Sequence, residues 1–175
     1  MNFSPKYESL VQKELETVLE HPDVQKMKQF IQHGEVTTYE HCLNVAITSY
    51  TICSYLHLHV KTKEMLRGAM LHDLFLYDWH DGRIRHREGL HAFSHPKVAL
   101  RNANKAFALT KREQNIIRGH MFPATIFHPP CSKEAIIVNV SDKICAFQET
   151  FSVGFFRGLS LFYFKKDLLK RKGDF

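Results

Sequence analysis

Apolar residues recur at intervals of three and four along most of the chain, the spacing of a buried face on an α-helix. From Tyr7 to Gln32 this stripe runs through Leu10, Val11, Leu15, Val18, Val24, Met27 and Ile31, with a break predicted at His21-Pro22-Asp23. Thr37 followed by Glu40 is a capping-box pattern, in which hydroxyl and carboxylate satisfy free backbone N–H groups at a helix start. The helix it opens runs to about Leu56, with Leu43, Ala46, Ile47, Tyr50 and Cys53 inward. A third helix follows Thr62, buries Met65, Leu66, Ala69 and Met70, and ends near His72-Asp73. Periodicity then disappears from Tyr77 to Ser94, which reads as an irregular loop long enough to suggest function. Pro96 fits the first position of the next helix, which runs to about Phe107. Thr110 with Glu113 repeats the capping-box pattern before Ile116, Ile117 and His120, and Pro123, Pro129 and Pro130 stop that helix. Ser132 caps a helix from Lys133 to about Thr150 that is apolar on almost every side, as in the centre of a bundle. The last segment, Phe151 to Lys172, is rich in phenylalanine.

No run alternates with period two, so the expected fold is all-α, a helical bundle of six to eight helices. No repeat or linker divides the chain, and one domain is expected. Its core spans about 37–148, with an N-terminal helix over 6–32 and a C-terminal helix over 151–172 packed on it. The length, 175 residues, suits one core, and 44% hydrophobic residues exclude disorder as the main state.

Lys and Arg number 24 against 18 Asp and Glu, a surplus that favours anionic partners such as phosphates, nucleotides or nucleic acid. The four cysteines form no CxxC pair and no secretory leader precedes them. The expectation is reduced thiols in a cytoplasmic protein. The longest apolar run, near Phe155 to Phe164, is interrupted by Arg157 and too short to span a bilayer. The unusual figure is 12 histidines.

Asp142 presents the sharpest physical problem, because it stands between Val140 and Ile144 in the most apolar helix. An ionised carboxylate buried there costs several kcal/mol unless a cation or hydrogen-bond donors replace its water, roughly the penalty for burying an unpaired ion. The pattern also allows Asp142 to share an exposed stripe with Asn139, Lys143 and Ala146. His72-Asp73 repeats the problem between Ala69-Met70-Leu71 and Leu74-Phe75-Leu76. His41 lies in the first turns of a capped helix with an apolar opposite face, where a histidine is either a hydrogen-bonded core residue or a ligand. Imidazole with carboxylate is a ligand set suited to zinc, manganese or iron.

His41, His72-Asp73 thirty-one residues later, and Asp142 in a late apolar helix together resemble the HD-domain superfamily of metal-dependent phosphohydrolases. The motifs read Glu40-His41-Cys42, Leu71-His72-Asp73-Leu74 and Val140-Ser141-Asp142-Lys143, and the resemblance spans roughly Thr37 to Gln148. It implies one divalent ion held by His41, His72, Asp73 and Asp142. It also implies a second ion, bridged by Asp73 and held by His95 and His120, with His91 as the substitute for His95. The reading of the residues alone leaves His95 as a helix cap and His120 as a locally bonded residue. One or two ions are expected, from iron, manganese, zinc, nickel, cobalt or magnesium.

The implied activity is hydrolysis of a small phosphate ester, a nucleotide phosphomonoester first, with His72 and Asp73 as catalytic residues. Asp78, five residues after Asp73, is a candidate to orient a ligand histidine or handle a proton. Lys97, Arg101, Arg118 and Lys143, with Arg83 and His86 in the irregular loop, are candidates to bind phosphate or to be plain solvated cations. A phosphodiesterase acting on cyclic nucleotides or nucleic acid, and a non-catalytic metal-binding sensor or scaffold, are the alternatives. The basic end at Lys165, Lys166, Lys170, Arg171 and Lys172 reads as a macrodipole complement and solubilising cluster before a nucleic-acid contact. The Phe-rich segment beside it is a candidate for self-association.

Overall fold

Side chains that satisfy the first free N–H groups of a helix set the starts of four of the described helices. The computed structural model describes residues 4–81 and 90–151. Helix α1 spans Pro5–Leu19 and α2 spans Pro22–Lys26; the break between them falls at His21, whose Nδ1 accepts from the Asp23 amide at 3.2 Å. A 3₁₀ turn covers Met27–Gln29, and two short strands follow, β1 (Ile31–His33) and β2 (Val36–Thr37). Helix α3 spans Thr38–Tyr55, α4 spans Thr62–Leu71 and α5 spans His91–Ala106. Helix α6 spans Lys111–Gly119 and α7 spans Lys133–Phe151.

Both predicted capping boxes form, Thr37 with Glu40 at α3 and Thr110 with Glu113 at α6. Ser132 Oγ accepts from the Ala135 amide at 3.1 Å and opens α7. The all-α class therefore stands, with seven α-helices among the described residues.

Three expectations are corrected. The helical stripe does not continue to Gln32. Ile31 pairs with Thr37 and His33 with Val36 in an antiparallel hairpin whose turn holds Gly34 at φ +59°. Strands of three and two residues are too short to show a period of two. The loop after the doublet is also shorter than expected, because α5 begins at His91 and carries Pro96 inside it. His95 is thus an internal helical residue, and its Nδ1–H donates to the His91 carbonyl one turn back at 2.8 Å. Lastly, α7 is apolar on almost every side but is not buried at the centre of the bundle: Ile136, Val140 and Phe147 are exposed.

Helix α4 lies at the middle of the bundle, packing against α1, α3, α5, α6 and α7. Its Met65, Leu66, Ala69, Met70 and Leu71 are fully buried. Gly68 lets α6 come close, since a Cβ there would meet Ile116 Cδ1 at 2.7 Å and its Cβ at 2.9 Å. That close approach brings the C-terminal ends of α4 and α6, and the histidines on them, to one place.

Candidate metal centre

Two of the histidines are products of how helices end. His72 is the residue after α4 and His120 the residue after α6. The last carbonyls of a helix lack intrahelical donors, and each imidazole supplies one. His72 Nδ1–H donates to the Ala69 carbonyl at 2.7 Å, and His120 Nδ1–H to the Ile117 carbonyl at 2.9 Å. Each ring then turns its Nε2 away from its own helix. The negative end of a helix macrodipole accompanies both, which favours a cation nearby.

Asp73 stands between two groups of such nitrogens. Its Oδ2 lies 3.4 Å from His72 Nε2 and 3.9 Å from His41 Nε2. Its Oδ1 lies 3.3 Å from His95 Nε2 and 3.5 Å from His120 Nε2. Asp142 Oδ1 joins the first group, 3.1 Å from His41 Nε2 and 3.6 Å from His72 Nε2. The residues on α3, α4, α5, α6 and α7 expected to bind metal are thus brought together. They form two clusters able to hold an ion: His41, His72 and Asp142 in one, Asp73, His95 and His120 in the other. All six are buried; Asp142 and its neighbour Asn139 are each only 8% exposed, which excludes the open stripe. His91 is not in either cluster; it meets the Tyr77 hydroxyl at 2.9 Å and stacks on Trp79.

Unsatisfied atoms show that the donor set fits a cation. His72 Nε2 and Asp73 Oδ1 are buried without hydrogen-bond partners, an arrangement that costs the full desolvation of each group. His95 Nε2 and His120 Nε2 face each other at 2.8 Å. With both Nδ1–H groups given to carbonyls, neutral rings would point lone pair at lone pair there. A divalent ion turns every one of these contacts into an attraction, and neutral imidazole with carboxylate is a suitable set of donors. Cys42 also approaches His72, but at Nδ1 and 3.7 Å, on the side of the ring already donated to Ala69.

Supporting contacts surround the first cluster, and sequence reasoning missed them. Glu149 Oε2 accepts from His41 Nδ1 at 2.6 Å, and its Oε1 accepts from Asn44 Nδ2 at 2.9 Å. This orients His41 with Nε2 inward, the usual carboxylate–histidine support of a metal ligand. Gln32 donates to Asp73 Oδ2 at 2.7 Å. Asn139 donates to the carbonyls of His120 at 2.6 Å and Phe122 at 2.8 Å, tying α7 to the end of α6. Asn139, Asp142 and Glu149 are spaced by three and seven, one face of α7, and that spacing was the available signal. Gln32 gives none.

Charge follows the same division. Burial opposes the His41 imidazolium, but hydrogen bonds to Asp142 and Glu149 and their charges outweigh it, raising its pKa to about 10. Burial likewise opposes charged His72, yet Asp73 raises it well above the ordinary value. Burial would raise the two aspartates; instead His72 holds Asp73, and His41 with His72 holds Asp142, well below the carboxylate range. His120 goes the other way: burial, then the positive charge of His72, push it down to about 3. Protons on His41 and His72 therefore neutralise this acidic half when no ion does.

The expected phosphate-binding and proton-handling residues are less concentrated. Lys143 Nζ donates to the carbonyls of His120 at 3.1 Å and Asn139 at 3.3 Å, which makes it a second cap for α6. Arg118 Nη2 donates to His128 Nε2 at 2.8 Å. Lys97 and Arg101 are exposed on α5, one turn apart. Asp78 is exposed and accepts from the His80 amide at 2.9 Å, outside both clusters. Arg83, His86 and the C-terminal helix expected over 151–172 lie outside the described residues, apart from Phe151.

Fold and donor set together define an all-α bundle with a candidate histidine–aspartate metal centre. The family model of the HD domain matches residues 38–146, more than half of the chain, and the chain belongs to that family. HD domains are in general metal-dependent phosphohydrolases, with some non-catalytic members. No curated protein and no solved structure matches the chain. Among the described residues, no helix is long and apolar enough to cross a membrane.

Proposed function

We propose that this protein hydrolyses a small phosphate ester, a nucleotide phosphomonoester in the first instance, at a two-ion centre. His41, His72, Asp73 and Asp142 would hold one divalent ion, and Asp73, His95 and His120 would hold the other. The observation that carries this reading is the Asp73 carboxylate, each of whose oxygens faces a different set of Nε2 atoms. Bound divalent ions lower the pKa of coordinated water from 15.7 towards about 7 and neutralise phosphate oxygens during an in-line displacement.

The chain's own contribution is placement. Carbonyl and carboxylate partners lock the imidazoles with Nε2 inward before any ligand arrives, so no reorganisation is needed at reaction. The second half offers three protein donors against four in the first. In the reaction the water oxygen bonds to phosphorus, the ester P–O bond breaks, and a proton passes to the departing oxygen. His72 and Asp73 would be the catalytic residues, and Asp78 is the candidate to handle that proton from the loop beyond the doublet. Lys97, Arg101, Arg118 and Lys143, with Arg83 and His86, are the candidate phosphate contacts.

The test is a phosphate-release assay with added Mn(II) across mononucleotides, sugar phosphates, cyclic nucleotides and single-stranded oligonucleotides. Release from a mononucleotide, abolished in the His72→Ala plus Asp73→Ala protein, is expected. Cleavage confined to the diesters replaces the monoesterase with a phosphodiesterase. Tight ion binding without turnover on any substrate makes the chain a sensor or scaffold.

A further inference from the structure

The hairpin ahead of α3 delivers one buried side chain that the scheme above does not use. Gln32 is 6% exposed, and its Nε2 donates to Asp73 Oδ2 at 2.7 Å across forty-one residues of sequence. A carboxylate can only accept, so the amide nitrogen must be the atom facing it. On the other side, the Thr38 hydroxyl shares its one proton between the Phe30 carbonyl at 3.2 Å and Gln32 Oε1 at 3.4 Å, so the Asp73 carboxylate is what sets the sense of the amide. The hairpin is itself anchored near the site, because Gly34 at its turn leaves only 3.1 Å between an added Cβ and the Glu149 carbonyl.

Among the described residues Asp73 is the one carboxylate in the cluster with His95 and His120, whereas the other cluster also has Asp142. A free carboxylate turns about its Cβ–Cγ bond, and in that turn both oxygens can serve one ion. The second cluster would then keep two imidazoles and no anion. We propose that Gln32 is a positioning residue: it pins Asp73 Oδ2 on the His41 and His72 side, so that Oδ1 remains aimed at His95 and His120. The hairpin thereby sets the capacity of the chain for a second divalent ion. This rests on the two-ion reading above.

Titration of the metal-free full chain with Mn(II), followed by electron paramagnetic resonance of free and bound ion, tests it. Wild type is expected to take two ions per chain. Gln32→Leu is expected to keep the first ion nearly unchanged and to bind the second about 10–100-fold more weakly, the usual cost of losing an outer support. The magnetic coupling between the two ions should fade in parallel. Gln32→Asn, one methylene shorter and still polar, covers the case in which the leucine variant fails to fold. An unchanged second ion in the folded variants overturns the inference while leaving the two-ion reading intact. Equal weakening of both ions also overturns it, because that is the signature of general loosening. A wild type that takes fewer than two ions contradicts the two-ion reading and removes the inference with it.

Discussion

The two halves of the candidate centre share Asp73 and differ in almost everything else. On one side His41, His72 and Asp142 meet beneath Glu149, with Asn44 and Gln32 holding the carboxylates. On the other, the His95 and His120 rings each donate Nδ1–H to a carbonyl of their own helix, and among the described residues Asp73 is the one carboxylate grouped with them. The first half is rich in negative charge and attracts protons when no ion is bound, whereas His120 in the second is held neutral. On the two-ion reading proposed above, this difference predicts a tighter ion in the first half and a weaker one in the second.

Removing the shared residue should have the largest effect. Asp73→Asn is expected to lose both ions and at least about a thousandfold in turnover, matching the several kcal/mol that metal assistance supplies. Metal analysis with a kinetic assay checks it, and a variant that retains two ions removes the basis for a bridge. Next, His95→Ala or His120→Ala should bring the content from two ions to one, while His41→Ala should lose the tighter ion first. A smaller loss, about 10–100-fold in affinity for the first ion alone, is expected of Glu149→Gln, which weakens the support of His41 without touching an ion.

Proton coupling separates the halves in a gentler way. His41 is raised to about 10, so its protonation stabilises the metal-free fold fully below about 6.5, an increment lost as pH rises towards 10. His120 is lowered to about 3, so its increment is present above about 6.5 and is lost as pH falls towards 3. Thermal melts of the metal-free protein should therefore lose stability in both directions from near neutral. Binding of the first ion must displace the His41 proton and strengthen as pH rises, whereas the second need displace none from His120. Calorimetry in buffers of unlike ionisation enthalpy should show more proton release for the first ion than for the second.

Much of this site is legible in the sequence. Asp142 and Asp73 stand in apolar surroundings where a bare carboxylate is costly, and His41 follows a capping box, so each carried a physical signal. The capping boxes at Thr37 and Thr110 placed α3 and α6 correctly for the same reason: a local hydrogen-bond pattern is written in neighbouring residues. What failed was non-local or too short. Pro96 resembles a helix start, yet α5 continues back to His91, where His95 Nδ1–H bonds the His91 carbonyl. The hairpin has too few residues to show alternation. Gln32 is a neutral amide whose partner lies forty-one residues away, and nothing near Lys143 in the chain announces that it also caps α6.

The most direct test is a crystal structure of Mn(II)-loaded protein with anomalous scattering recorded at the manganese edge. Two anomalous peaks about 3.5–4 Å apart, the spacing of two-metal sites, with one Asp73 oxygen on each, are the predicted result. A single peak, or two peaks that leave the Asp73 carboxylate to one side, would contradict the account.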